Sequence, residues 1–430
     1  MFFMRSDAAA AAGRGEASKA ETLPPLLFFS TRQGRQTNCV LTVEVARFVA
    51  EKLNLRLVLP ACHTSPLGEQ ACAYRPEIPA QRQILVPFSL PKVLQPRDLA
   101  RCWRPAAAAA ASAPLSPADI PLSAVPRNVT CLEIVARSAG RLSQRRSENL
   151  DRPSPCESEL SGDDDLRSQL PIRFTSTVTI NADAAFVDAL LSPTASSSSS
   201  SSAAATTTTA SFLSSSHSSL GHRSAASSAA SRSLLAALPA GQDVFLHNSF
   251  GLFSRQLLGP LFRLCALPRE TEGVVRMARH LERSLGFARS NTLCVHWRAE
   301  DFHHPNTLVK HRLPSNASSG AHVAKVLAAR ARRLGAGSVL LLTNARYEAL
   351  HELQTSLRAS GLRVESPRAL RESSTFGCAA RYVYGTMAEM HVCSRMRHFA
   401  GSPRSSFSGH IAAMRAAKGL NSTGDSLLAY

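Results

Sequence analysis

Apolar positions along this chain alternate between two spacings. Leu26–Phe29 is a continuous apolar run, which predicts a short buried strand, and 30–38 (STRQGRQTN) is a polar, glycine-containing loop. From 41 to 53 the apolar residues Val45, Phe48, Val49 and Leu53 recur at helical spacing, and 55–59 (LRLVL) is a second strand closed by Pro60. Strand, loop, helix and strand in that order predict a βαβ unit, with parallel strands and a right-handed crossover. The last third repeats the rhythm. Thr292–Trp297 (TLCVHW) predicts a strand, 321–334 a helix with Val323, Leu327 and Ala331 on one face, and Ser338–Thr343 (SVLLLT) a strand buried on both sides. Helix over 345–357, strand over 362–364, helix over 386–395, strand over 397–400 and helix over 405–417 complete the series. Strand–helix alternation predicts a doubly wound α/β architecture.

The middle is harder to read. The segments 132–135 and 174–180 (the latter alternating, in FTSTVTI) predict strands, and Asp243–His247 (DVFLH) another, followed by apolar residues over 257–264 and a helix over 270–285. Stretches without the means to build a core interrupt these elements: an Ala-rich start, about 105–126, and about 192–233 with its Ser, Ala and Thr runs. The expected organisation is therefore a disordered 1–22, an N-terminal Rossmann-like lobe over 23–285 carrying the two insertions, and a C-terminal Rossmann-like lobe over 286–430.

A net charge of +18 and a pI near 10.2 invite a nucleic-acid partner. The excess is arginine, since only six of the 49 basic residues are lysine, and it accompanies abundant alanine. No aromatic-interleaved basic face, zinc-finger spacing or basic helix goes with it, so nucleic acid is not expected. The ten cysteines contain no CxxC pair, which argues against zinc, and their even, dispersed distribution permits disulfides in an oxidising compartment. Sequons at Asn128, Asn316 and Asn421 agree with such a compartment. Met1 to Met4 is too short for the apolar region of a signal peptide, and no run of about 18 apolar residues occurs, so either the start lies upstream or the protein is not secretory. Membrane association is expected only through an anchor upstream of this sequence.

Ligands of open α/β sheets bind beyond the carboxyl ends of the strands, and polar groups fall there in three places. His296-Trp297-Arg298 closes a buried strand, and the planar fork of an arginine suits phosphate oxygens. A surface or ion-paired Arg298 is the plainer alternative. The turn 401–409 (GSPRSSFSG) puts hydroxyls and N–H groups of Ser405 and Ser406 at a helix start, either as an anion site or as simple capping. Phe407 in that turn stacks on a base or packs in the core. The loop with Gly34, Thr37 and Asn38 allows close backbone approach and hydrogen bonding, although it has neither the Walker nor the GxGxxG pattern.

Three of these segments carry a resemblance. Residues 294–302 (CVHWRAEDF) resemble the His-x-Arg motif of GDP-fucose-dependent protein O-fucosyltransferases. Residues 392–415 (VCSRMRHFAGSPRSSFSGHIAAMR) are similar to that family's carboxy-terminal motif, in its plant and algal branch especially, and 26–60 to its amino-terminal βαβ unit. Thr343-Asn344 falls where the family usually has Thr-Asp. The resemblance implies a GT-B-like fold of two Rossmann-like lobes with the donor in the cleft between them. It implies an inverting, metal-independent transfer of fucose from GDP-fucose to a Ser or Thr hydroxyl of a protein, in the endoplasmic reticulum or Golgi lumen, with no cofactor. Arg298 would then bind the diphosphate and stabilise its departure, His296 would contact the nucleotide sugar, Ser405, Ser406 and Phe407 would hold phosphates and base, and Asn344 would face guanine or ribose. Glu300 and Asp301 are the candidate general bases, with solvation or pairing to Arg298 as the alternative.

Two departures from the family pattern accompany the match. The amino-terminal loop has Arg35 and Thr37-Asn38 where a second Gly and an Asn-Gln pair are usual, and Asn344 stands in place of Asp. Other outcomes compatible with the sequence are a glycan acceptor, or a catalytically degenerate nucleotide-sugar-binding scaffold.

Overall fold

The computed structural model describes residues 25–30, 36–63, 67–68, 83–84, 87–99, 114–120, 127–136, 155–160, 171–182, 241–247, 267–299, 319–345, 347–367, 378–402 and 405–420. The chain is α/β, with two parallel sheets carrying the main architecture. The amino-terminal sheet contains β1 (Leu26–Phe29), β2 (Arg56–Leu57), β3 (Arg127–Ala136), β4 (Ile172–Ala182) and β5 (Asp243–His247), in the order β2-β1-β5-β3-β4. The carboxy-terminal sheet contains β6 (Thr292–Trp297), β7 (Ser338–Thr343), β8 (Arg363–Glu365) and β9 (His398–Gly401), in the order β8-β7-β6-β9. Strands buried on both faces must be apolar throughout, and the four residues of β1 are all 0% exposed.

Six helices of at least three turns are described: α1 (Gln36–Lys52), α2 (Glu272–Leu285), α3 (Gly320–Leu334), α4 (Tyr347–Ala359), α5 (Cys378–Arg395) and α6 (Ser406–Ala417). The expected helix over 41–53 thus begins five residues earlier, at Gln36. Thr37 and Asn38, expected in a loop, form its first turn, and the Thr42 hydroxyl donates to the Asn38 carbonyl at 2.8 Å. Burial overrides amphipathicity here: Val40, Leu41, Val43, Ala46 and Glu44 are all 0% exposed, so α1 shows no clean polar face. Helix α5 starts at Cys378, eight residues before the expected 386. Strands β3 and β4 outrun the expected 132–135 and 174–180, and they pair with one another in parallel. The apolar segment 257–264 lies outside the described residues.

Alternation along β6 sorts the second sheet's side chains. Leu293, Val295 and Trp297 pack with Val323 and Leu327 of α3 and Leu350 and Leu353 of α4. Cys294 packs on the other face, with Met277 of α2, Met387 and Met390 of α5, and Ile411 and Met414 of α6. That second core continues into Val40, Val43 and Phe48 of α1, which packs against α6, so the two sheets share a hydrophobic seam. Bridges Cys39–Cys62, Cys131–Cys156 and Cys294–Cys393 join Cα atoms 6.0, 5.9 and 5.5 Å apart, ordinary separations for the bond. The third fastens β6 to α5, two residues before His296.

Helices α3 and α4 meet at a glycine. A Cβ on Gly320 would stand 2.5 Å from the Ala349 carbonyl oxygen and 2.8 Å from the Leu353 nitrogen. Backbone atoms cannot step aside as a side-chain tip can, so the helices must separate. Alanine is the better helix former, yet Gly320→Ala is expected to destabilise the protein by about 1–3 kcal/mol, the usual range for overpacking. Denaturant unfolding checks this: the midpoint falls while the slope stays constant. An unchanged or raised midpoint would refute the close approach.

Candidate nucleotide-sugar site at the switch point of the second sheet

The order β8-β7-β6-β9 creates one place where the chain departs in opposite directions. From β6 it proceeds to α3 on one face, and from β9 to α6 on the other. Neighbouring loops that diverge in this way leave a crevice at the strands' carboxyl ends. The residues at that crevice are His296, Trp297 and Arg298 from β6 and Gly401, Ser402 and 405–408 from β9 and α6.

Ser402 ties the two strand ends together. Its N–H and its hydroxyl both donate to the His296 carbonyl, at 2.9 and 3.1 Å, while the hydroxyl accepts the Arg298 N–H at 2.8 Å. The backbone at Arg298 is thereby held from β9, 104 residues further along the chain. Arg298 itself is half-buried, as a residue facing a ligand crevice should be. On its other side the Thr343 hydroxyl donates to the Trp297 carbonyl at 2.6 Å and accepts the Ala345 N–H at 3.0 Å. Asn344, between them, keeps a buried Oδ1 with no hydrogen-bond donor among the described residues, an acceptor closed to solvent as the side chain stands.

The start of α6 supplies the complementary donors. The Ser405 hydroxyl accepts the Ser408 N–H at 3.4 Å and caps the helix, the plainer of the two roles open to it from sequence. The Ser405 N–H is taken by the Ser402 carbonyl at 3.3 Å. The N–H groups of Ser406 and Phe407, first and second in the helix, meet no acceptor among the described residues. Two such donors at the positive end of a helix suit an anion.

His296 is enclosed. Its Nδ1 lies 2.7 Å from the Ser408 hydroxyl, and the Phe407 ring covers it at a centroid distance of 4.5 Å, inclined by 32°. Phe407 also packs against the larger core, so it acts as a wall for the histidine. Burial, and secondarily the positive Arg298, push the ring's pKa down to about 3, so it is neutral at physiological pH. Gly401 makes room for this arrangement: a Cβ there would sit 2.6 Å from the Ser408 Cβ and 2.7 Å from its hydroxyl.

Of the residues expected from sequence, His296, Arg298, Ser405, Ser406 and Phe407 gather at this crevice, and Asn344 stands at the end of the adjacent strand. Thr37 and Asn38 stand in the first turn of α1, the helix that packs on α6. Gly34, Glu300 and Asp301 lie outside the described residues. Gly401, Ser402 and Ser408 belong to the turn 401–409 picked out in the sequence, but carried no role of their own there. The small residues of GSPRSSFSG after a strand mark the turn, but not which of them reach across to β6.

No protein-family model matches this chain, and no curated protein matches it in sequence. Solved structures do match in shape. A crystal structure of POFUT1 in complex with GDP-fucose is 12% identical, covering 91% of this chain and 94% of its own, with a TM-score of 0.50. A second, POFUT1 in complex with GDP, is 14% identical, covering 92% and 96%, also with a TM-score of 0.50. The likeness extends over both lobes, and it is one of fold: two Rossmann-like lobes in a GT-B-like arrangement, the fold of a GDP-fucose protein O-fucosyltransferase.

Proposed function

We propose that this chain is a glycosyltransferase using GDP-fucose as donor, and that it transfers fucose with inversion to a Ser or Thr hydroxyl of a protein. The observation carrying the proposal is the convergence at one switch point of Arg298, the amides of Ser406 and Phe407 that meet no acceptor among the described residues, and a neutral His296. Such a set is anion-selective and suits a nucleoside diphosphate. The sugar identity comes from the motif resemblance and from the GDP-fucose carried by a structure of the same fold.

In this reading the acceptor oxygen attacks the anomeric carbon as the bond from that carbon to the β-phosphate oxygen breaks. The diphosphate leaves with the bonding electrons, and the acceptor hydroxyl gives up its proton. Charge grows on the leaving oxygen, to be met by Arg298, whose backbone Ser402 holds in advance, and by the α6 amides. Glu300 or Asp301 takes the proton. The reading invokes no metal and no cofactor. The Asn344 amide, whose Oδ1 is sealed in as it stands, turns to meet a guanine N–H or a ribose hydroxyl.

A lumenal location in the endoplasmic reticulum or Golgi is part of the proposal, supported by the three bridges and by the exposed sequon residue Asn128 at the start of β3. Isothermal titration of the purified chain with GDP-fucose and GDP-mannose tests the donor assignment. Preferential binding of GDP-fucose is expected. A folded protein that binds no guanosine diphosphate species would overturn it, leaving a diverged scaffold as the better description.

A further inference from the structure

The tautomer of His296 can be read from its surroundings. Nδ1 and the Ser408 hydroxyl are 2.7 Å apart, so one donates to the other. The Ser408 hydroxyl has no other acceptor among the described residues; the only other bond of Ser408's polar groups outside the helix ladder is its N–H to Ser405. If Nδ1 carried the ring proton and donated, the buried Ser408 hydroxyl proton would be left without an acceptor among the described residues. Stranding a buried donor lowers the population of that tautomer roughly 5- to 150-fold. The hydroxyl therefore donates to Nδ1, and the ring proton resides on Nε2. That nitrogen has no partner among the described residues, yet it is absent from the sealed-in polar atoms, and the residue keeps 8% exposure. A proton on Nε2 is therefore not sealed in by the protein, at the carboxyl end of β6.

We infer that His296 serves the site as a fixed Nε2–H hydrogen-bond donor to a ligand oxygen, that it is not the general base, and that Ser408 is the positioning residue that sets this polarity. Only the ligand's identity rests on the nucleotide-sugar reading; the proton's position does not. A ring already protonated at Nε2 has no lone pair there for an acceptor hydroxyl. Its neutral state means that it recognises an oxygen by direction, beside the charge that Arg298 contributes. Phe407 holds the ring plane, and Gly401 allows Ser408 its place.

The test is a long-range proton–nitrogen NMR correlation on the full chain with 15N-labelled histidine, at neutral pH. A His296 ring with protonated-type Nε2 and unprotonated-type Nδ1 is expected. The opposite pattern, or an imidazolium, would overturn the inference whatever the ligand. In Ser408→Ala the ring should lose its single tautomer and give an averaged pattern, with GDP affinity weakened about 3- to 10-fold, the worth of one neutral hydrogen bond. A Ser408→Ala ring that keeps the wild-type pattern would show that Ser408 does not set it. His296→Gln, whose amide can supply a donor near the Nε2 position, should keep more GDP affinity and turnover than His296→Ala; equal loss in both would count against the donor role. Finally, GDP should shift the wild-type Nε2 resonance. If the Nε2–H pattern is present but GDP leaves it unmoved, the tautomer stands and the nucleotide reading fails.

Discussion

Arg298→Ala is expected to lower fucose transfer about 100- to 1,000-fold, the usual consequence of removing one prepositioned group that stabilises charge in the transition state. The loss should fall on turnover as well as on donor affinity, because charge on the leaving diphosphate grows as the glycosidic bond breaks. Arg298→Lys should recover little. Lysine restores the charge but not the planar fork that engages two oxygens at once, and its shorter reach starts from a backbone pinned by the Ser402 hydroxyl at 2.8 Å. Initial rates at saturating GDP-fucose, beside thermal midpoints of each variant, check this. The midpoints should hardly move, since the site is at a crevice and the cores of both faces lie beneath it. Near-wild-type turnover in Arg298→Ala would remove the foundation of the proposed chemistry. A large drop in thermal midpoint with turnover per folded molecule preserved would instead make Arg298 a structural residue.

The fold was legible where burial is two-sided. β1, β5, β6 and β7 have the bounds expected from the apolar runs they contain, because a strand covered by helices on both faces tolerates few polar residues. Helix C-termini were legible too: Gly335, at φ 65°, closes α3 in the left-handed conformation that its lack of a side chain permits. The failures occurred where tertiary contacts hide the period. Helix α1 is buried nearly all round, so the polar Gln36-Thr37-Asn38 at its start looked like loop. Helix α5 begins in a stretch containing Gly385 and three β-branched or aromatic residues, a local composition that favours no helix until packing against α2 and α6 decides it. At the site, Arg298 and the α6 start could be found because they are contiguous with strands. The pairing of Ser402 with Arg298 and of Ser408 with His296 spans 104 and 112 residues, and strand order alone brings them together. No spacing rule within a segment reveals such a contact.

Helix α1 carries a second liability of burial, from which the other large effect is expected. Glu44 and Arg47 face each other at 2.7 Å with side chains 1% exposed, and the second carboxylate oxygen of Glu44 has no donor. Burial, opposed by Arg47, pushes the Glu44 carboxyl up to about 7 from its ordinary value of 4.5. Removing one member leaves an uncompensated polar group in the interior, so Arg47→Met is expected to cost about 3–5 kcal/mol, whereas Glu44→Leu together with Arg47→Met should recover most of that loss or exceed the wild type. The pH dependence distinguishes this from simple loss of packing. A carboxyl whose folded pKa is raised contributes stability that is fully present below its unfolded pKa, near 4.5, and is lost as pH rises through about 7. The buried histidines run the other way: His296 and His410, depressed by burial to about 3 and about 4, contribute stability present above 6.5 and lost as pH falls through those values. Wild type and double variant share the histidines, so their difference isolates the carboxyl. Between pH 4.5 and 8 the double variant should gain on the wild type by roughly 3 kcal/mol, the worth of that shift at about 1.4 kcal/mol per unit. Urea unfolding at several pH values measures the difference directly. A difference that stays flat across the range would mean that Glu44 is ionised in the fold throughout, held by Arg47 as a true ion pair, and that burial in α1 costs the charge far less than its surroundings imply.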